Sequence, residues 1–162
     1  MVAYFPLFVN LENKPVLVIG GGAIAERRIC SLLEFGCKIV VTAPEITEKL
    51  EAFTEAGKIV WRKERYSKEC LGRLIPEQEG ERWIFVLATA TEPVNAEVVS
   101  DCKALGIPVN NASRKEDCDF YFPGLIKEQE VVIGVTSGGS DHKYVAALSK
   151  KIRELVQKTW QV

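Results

Sequence analysis

The sequence contains one histidine, His142, and its five cysteines never form a CxxC pair. That argues against a zinc site, which needs clustered thiolates and imidazoles. Cys30, Cys37, Cys70, Cys102 and Cys118 are scattered and odd in number, which suits a reduced protein with buried thiols better than a disulfide frame. Basic residues are not in excess: 21 Lys and Arg face 22 Asp and Glu, for a net charge of −1. Nucleic acid is therefore not expected as a partner, and an anionic ligand must be met by local donors. No apolar run approaches the roughly 20 residues that cross a bilayer, so no membrane association is expected. The start, MVAYFPLFVNLENK, has neither a basic n-region nor a small-residue cleavage site. The expected location is cytoplasmic. Internal repeats and low-complexity tracts are also missing.

What is present is alternation. Strand-like runs at 16–19, 38–43, 58–64, 83–89 and 107–112 are separated by helical stretches at 23–35, 46–56 and 93–105. The runs are apolar rather than alternating, which predicts a parallel sheet covered on both faces. Tyr66–Arg82, with Pro76 and Gly80, reads as a short helix plus a loop. After Asn111 the pattern changes. Residues 120–127 and 131–137 form two strand-like runs around the polar EQE, a hairpin. Ser140 or Asp141 can cap a last helix in which Val145, Leu148, Ile152, Leu155, Val156 and Trp160 recur at helical spacing. A hairpin and one helix bury little, so this segment is expected to pack on a second copy.

The stretch VLVIGGGAIAERR carries the first chemical signal. Gly20, Gly22 and Ala25 fit G-x-G-x-x-G/A between a strand and a helix, the dinucleotide fingerprint. Gly20 permits the tight turn, Gly22 the approach of a pyrophosphate, and Ala25 close helix–sheet packing. The diphosphate then sits on the helix N-terminus, beside Gly21, Ala23 and Ile24. The fold class is thus α/β: a Rossmann-type parallel sheet over residues 1–112, followed by a hairpin-plus-helix dimerisation segment over 113–162. The acid usually found at the end of the second strand is missing. That strand ends Val41-Thr42-Ala43-Pro44, and Glu45 is the first carboxylate beyond it. The ribose is therefore assigned to backbone and Thr42, and charge alone leaves NAD against NADP open. Thr89 and Asn95, at the C-terminal end of the fourth strand, are expected near the nicotinamide half. Arg27 and Arg28 are read equally as a solvated helix face or as groups near phosphate or substrate.

Five segments, YFPLFVNLENKPVLVIGGGAIAERR, VVTAPE, VLATATEPVNAEV, VNNASRKEDCDFYFPGLI and GVTSGGSDHK, together resemble the precorrin-2 dehydrogenase and sirohydrochlorin ferrochelatase family, the N-terminal module of siroheme synthases. The likeness runs from Tyr4 to about Arg153. It implies oxidation of precorrin-2 to sirohydrochlorin with NAD as hydride acceptor, and a homodimer; in some members the same site also inserts iron. Two departures stand out. The family's usual aspartate after the Val-Asn pair is Ser113 here, with Asp117 and Asp119 out of register. Longer members carry a further C-terminal helical region, whereas this sequence ends at Val162, so that cover is expected to be short or absent.

The implied reaction removes a hydride and a proton. Loss of hydride acidifies the proton, so a strong base helps without being essential, whereas chelation requires a group that takes pyrrole protons. Ser113 and His142 are the candidate catalytic residues. The implied substrate is rich in carboxylates, which call for Arg, Lys, hydroxyl and backbone N–H donors. Arg114 beside Lys115, and Ser137, Gly138, Gly139 and Lys143 at the hairpin-to-helix turn, are the candidate substrate contacts. For Lys115 and Lys143 plain surface charge is an equal reading, and His142 reads as a capping or surface residue before it reads as a metal ligand. No metal ligand set is assigned. The rival readings are a bifunctional dehydrogenase and ferrochelatase, or a non-catalytic module that holds a dinucleotide or a tetrapyrrole.

Overall fold

The computed structural model describes residues 5–73 and 82–159. Pro76, Gly80 and Trp160 lie outside the described residues, as does most of the loop read between Tyr66 and Arg82. The chain divides into two compact units. The larger is Val9–Phe120; the smaller joins Met1–Phe8 to Tyr121–Val162.

The larger unit is a five-stranded parallel sheet in the order β3-β2-β1-β4-β5. Its strands are β1 (Pro15–Ile19), β2 (Lys38–Thr42), β3 (Val60–Arg62), β4 (Phe85–Ala88) and β5 (Val109–Asn111). The helices between them are α1 (Ala23–Leu33), α2 (Glu48–Glu55) and α3 (Glu92–Leu105). β1 is buried along its whole length, as a strand covered on both faces must be. Leu17, Ile19, Val40, Val86, Ala88, Val98 and Val109 share one core. Truncating Leu17 to Ala would cost about 2–5 kcal/mol at such a site. Thr47 caps α2, its side chain accepting from the Leu50 N–H. α3 begins one residue ahead of Pro93, because proline is tolerated in a first helical turn.

This strand order reverses direction between β1 and β4. In open α/β sheets that switch point, at the carboxyl ends of the strands, is where ligands bind. The loops after β1, β4 and β5 all end there.

The chain does not leave the larger unit at residue 113. It stays bonded to β5 as far as Phe120. Asp119 N–H donates to Val109 O at 2.9 Å, and Val109 N–H donates to Asp119 Oδ2 at 2.9 Å. Asn110 Nδ2 donates to Phe120 O at 2.7 Å. The expected boundary after residue 112 is therefore displaced to Tyr121, and Phe120–Pro123, read as strand, is irregular.

The smaller unit pairs β6 (Gly124–Glu128) antiparallel with β7 (Val131–Val135), and α4 (His142–Thr159) follows. Asp141 caps α4, accepting from the Tyr144 N–H at 2.8 Å. Gly124 has no room for a side chain: a Cβ there would lie 2.9 Å from Ser149 Oγ, so α4 rests directly on β6. Ile126 is the only apolar residue of the unit that is fully buried among those described. Tyr144 is 62% exposed, Leu155 65% and Phe5 87%.

Candidate functional site

The three glycines after β1 do three different things. Gly20 has φ +110°, a conformation that side chains resist. A Cβ on it would sit 2.7 Å from Ala90 N and from Thr89 C and O, so the loops after β1 and β4 touch backbone to backbone. Gly21 is pressed on the other side: a Cβ there would collide with Glu45 O and lie 2.6 Å from Ile46 Cγ2. Its carbonyl accepts from the Thr47 N–H at 3.1 Å. Gly22 differs from both. Its backbone is ordinary extended chain (φ −84°, ψ −170°), and an added Cβ would meet nothing within 4 Å. It is the N-cap of α1, and no side chain caps the helix there. The open space thus faces uncapped amides at the positive end of a helix dipole, which suits an anion. Ala25 is buried against the sheet, whereas Ala23 and Ile24 are exposed beside the opening.

On the β4 side, Thr89 is fixed twice to Ile19 O, by its N–H at 2.8 Å and its hydroxyl at 2.9 Å. Asn95, in the first turn of α3, is 0% exposed. Its Oδ1 accepts from the Ala90 N–H at 2.9 Å, and its Nδ2 donates to Ala90 O at 3.2 Å and Ser113 Oγ at 2.6 Å. An unbroken line of contacts therefore runs from Gly20 through Ala90 and Asn95 to Ser113.

β5 contributes two amides of similar purpose. Asn111 Oδ1 accepts from the Ser113 N–H at 2.9 Å, while its Nδ2 donates to Asp117 Oδ2 at 3.2 Å. Asn110 Oδ1 accepts from Arg28 Nη1 at 2.6 Å. Burial draws the Arg28 pKa down to about 10, with Cys118 opposing that shift and Arg27 adding to it. The guanidinium stays charged at neutral pH. Arg28 is thus a brace from α1 to β5, and the solvated-face reading does not hold for it. Arg114 is exposed, with Asp117 3.7 Å from its Nε.

Two sequence expectations are corrected. Thr42 is 1% exposed, and its hydroxyl is enclosed with no partner among the described residues. It points into the protein, where no ribose could reach it. Glu45 is the exposed acid instead, and its backbone lies against Gly21. Asn95 likewise does not face a ligand; its amide is consumed by Ala90 and Ser113. The Arg28–Asn110 brace was also missed. Polar Asn110 and Asn111 inside an otherwise apolar strand were the available hint.

The remaining candidates belong to the smaller unit. Ser137, Gly138, Gly139, His142 and Lys143 share the turn between β7 and the start of α4. Ser137 Oγ accepts from the Asp141 N–H at 2.9 Å, and Gly138 and Gly139 have φ +64° and +75°. Asp141, not His142, does the capping. Among the described residues no group of His, Cys, Asp and Glu could hold a metal ion, and no helix is long and apolar enough to cross a membrane.

The chain is 34% identical to a "Probable multifunctional siroheme biosynthesis protein HemA" of Ruminiclostridium josui, over 96% of this chain and 29% of that protein. It is 34% identical to a siroheme synthase of Saccharophagus degradans, over 95% of this chain and 31% of that protein. For a siroheme synthase of Stutzerimonas stutzeri the identity is 35%, over 97% and 31%. The chain thus spans about three-tenths of the length of these relatives. A solved structure titled "SirC, precorrin-2 dehydrogenase" superimposes with a TM-score of 0.67 at 22% identity, covering 96% of this chain and 71% of that one. That likeness shows the same fold. A family model described as "Putative NAD(P)-binding" matches residues 7–124, the glycine loop, the switch point and β5 included, and the chain belongs to that family.

Proposed function

We propose that the chain is a cytoplasmic, NAD-dependent dehydrogenase that oxidises precorrin-2 to sirohydrochlorin in siroheme biosynthesis, acting as a homodimer. The observation that carries this reading is the opening at Gly22. Its two neighbouring glycines are packed solid against the loops of β4 and β2, and it alone is left clear at an uncapped helix end. The siroheme names of the relatives supply the substrate class.

In this reading the N–H groups at the start of α1 receive the diphosphate, and Ile24 offers an apolar surface beside it. Glu45 hydrogen-bonds the adenosine ribose and repels a 2′-phosphate, which supports NAD over NADP. The bound dinucleotide supplies the hydride acceptor. Ser113 and Arg114, at the carboxyl end of β5, offer neutral and cationic donors to substrate oxygens. Ser137, Gly138, Gly139, His142 and Lys143 offer a second set of donors suited to carboxylates. A neutral hydroxyl such as that of Ser113 is too weak a base to take the proton, so the proton released after hydride loss passes to solvent. That supports dehydrogenation without metal insertion. The homodimer reading is supported by the exposed apolar residues of the smaller unit, which one copy leaves uncovered.

The test is anaerobic incubation of the purified chain with precorrin-2 and NAD. Appearance of the sirohydrochlorin spectrum in step with NADH is the expected result. Binding of both ligands without turnover would mean a non-catalytic carrier.

A further inference from the structure

The amide of Asn95 has only one possible orientation. The Ala90 N–H can only donate, so the Asn95 atom 2.9 Å from it must be the amide oxygen. The amide nitrogen therefore faces Ser113 and donates to its Oγ at 2.6 Å. The Ser113 backbone N–H is held separately, by Asn111 Oδ1. A hydroxyl has one proton and two lone pairs. With a lone pair engaged by Asn95, the proton must be directed elsewhere. Among the described residues nothing accepts it, and Ser113 is exposed at the carboxyl edge of the sheet.

We infer that Asn95 is a positioning residue that fixes Ser113 as an outward-facing hydrogen-bond donor, and that this hydroxyl donates to an oxygen acceptor of the bound ligand. The inference rests on the dehydrogenase reading and deepens it. The acceptor is a carboxylate or carboxamide oxygen, from the tetrapyrrole or from the nicotinamide. An outward donor, unlike a base, binds and orients without taking a proton. The line of contacts from Gly20 to Ser113 places this donor on the same sheet edge as the cofactor opening.

Reversing the polarity tests it. In Asn95→Asp the oxygen facing Ala90 N–H is kept, but the N–H facing Ser113 is replaced by a second oxygen. Once ionised, that oxygen takes the Ser113 proton and turns a lone pair outward. Steady-state NADH formation is measured on the full chain for Ser113→Ala, Ser113→Thr, Asn95→Asp and the Ser113→Ala/Asn95→Asp double variant. Ser113→Ala should lower kcat/KM about tenfold, the size of one hydrogen bond to a charged group, and Ser113→Thr should recover most of it. Asn95→Asp should fall at least as far, and its deficit should deepen as pH rises and the buried carboxyl ionises. In the Ser113→Ala background only the cost of setting an oxygen against Ala90 O should remain, so the added loss should be smaller than in the native background. A KM effect confined to the tetrapyrrole assigns the acceptor to a substrate carboxylate; one confined to NAD assigns it to the carboxamide. Either of two results overturns the inference: a Ser113→Ala variant with native kcat/KM, or an Asn95→Asp loss equally large with and without Ser113. If Asn95→Asp does not fold, the Ser113→Ala and Ser113→Thr pair decides. If the native chain makes no NADH, the dehydrogenase reading falls. The inference is then judged by tetrapyrrole and NAD affinity, which Ser113→Ala must weaken for one of them and Ser113→Thr restore.

Discussion

Gly22→Asp separates the ligand from the fold more cleanly than any other substitution in the glycine loop. At Gly20 or Gly21 a side chain would meet backbone atoms of the neighbouring loops, so loss of binding there would say nothing about a ligand. At Gly22 the backbone is extended and the space beyond it is clear. Aspartate is also a favoured N-cap, and α1 has no side-chain cap to lose. The thermal midpoint should therefore stay put or rise by a degree or two. The dinucleotide should fare differently. A carboxylate about 5 Å from one phosphate charge costs roughly 1 kcal/mol at the dielectric of water and about 3 kcal/mol at an effective value of 20. The new side chain would also occupy the amides that the diphosphate needs. NAD affinity should fall more than about tenfold, since 1.4 kcal/mol already gives that factor. Calorimetric titration with NAD, paired with thermal melts, reads both quantities. Unchanged affinity would remove the nucleotide from this loop, and a collapsed melt would show that the space is not free.

Glu45→Gln removes the exposed carboxylate beside Gly21, so the ratio of NADP to NAD affinity should rise about tenfold by competitive titration, with the melt unaltered; an unchanged ratio would place the ribose elsewhere. Light scattering at micromolar concentration should give twice the chain mass, and a monomer would refute the dimer. Burial raises the Cys37 thiol to about 11 and that of Cys102 to about 12, the latter helped by Asp101 and Asp119. Unfolded thiols ionise near pH 8.5, so above that pH the unfolded state holds fewer protons and stability should fall as pH rises towards 11. A denaturation midpoint flat across that window would contradict those shifts.

The larger unit was legible because its central strands β1 and β4 are apolar and its helices carry their own start and stop signals. Thr47 and Pro93 mark helix starts as local chemistry requires. Legibility ended where a polar residue could serve either a ligand or the protein. Thr42 ends β2 and Asn95 lies in the first turn of α3, both at the carboxyl edge of the sheet, and sequence position alone could not tell an outward side chain from an inward one. Three-dimensional wiring decides it: Asn95 is claimed by a turn five residues earlier and a loop 18 residues later. The segment FYFP, Phe120–Pro123, reads as strand because it is apolar and aromatic. Asp119 and Asn110 bind its start to β5, and Pro123 has no N–H for a ladder, so pairing begins only at Gly124.

The contact between Gly20 and the end of β4 has a kinetic consequence. Thr89 and Ile19 are 70 residues apart in the chain. The segments from β1 to β3 can assemble from neighbours, but β1 meets β4 only after a long loop has closed, and such non-local pairings are slow to form. The opening at Gly22 is bounded on one side by early structure and on the other by late structure. During refolding, secondary structure should therefore recover before dinucleotide affinity does. A nascent chain that has emerged only as far as β3 would carry the whole glycine signature and still have half a binding site.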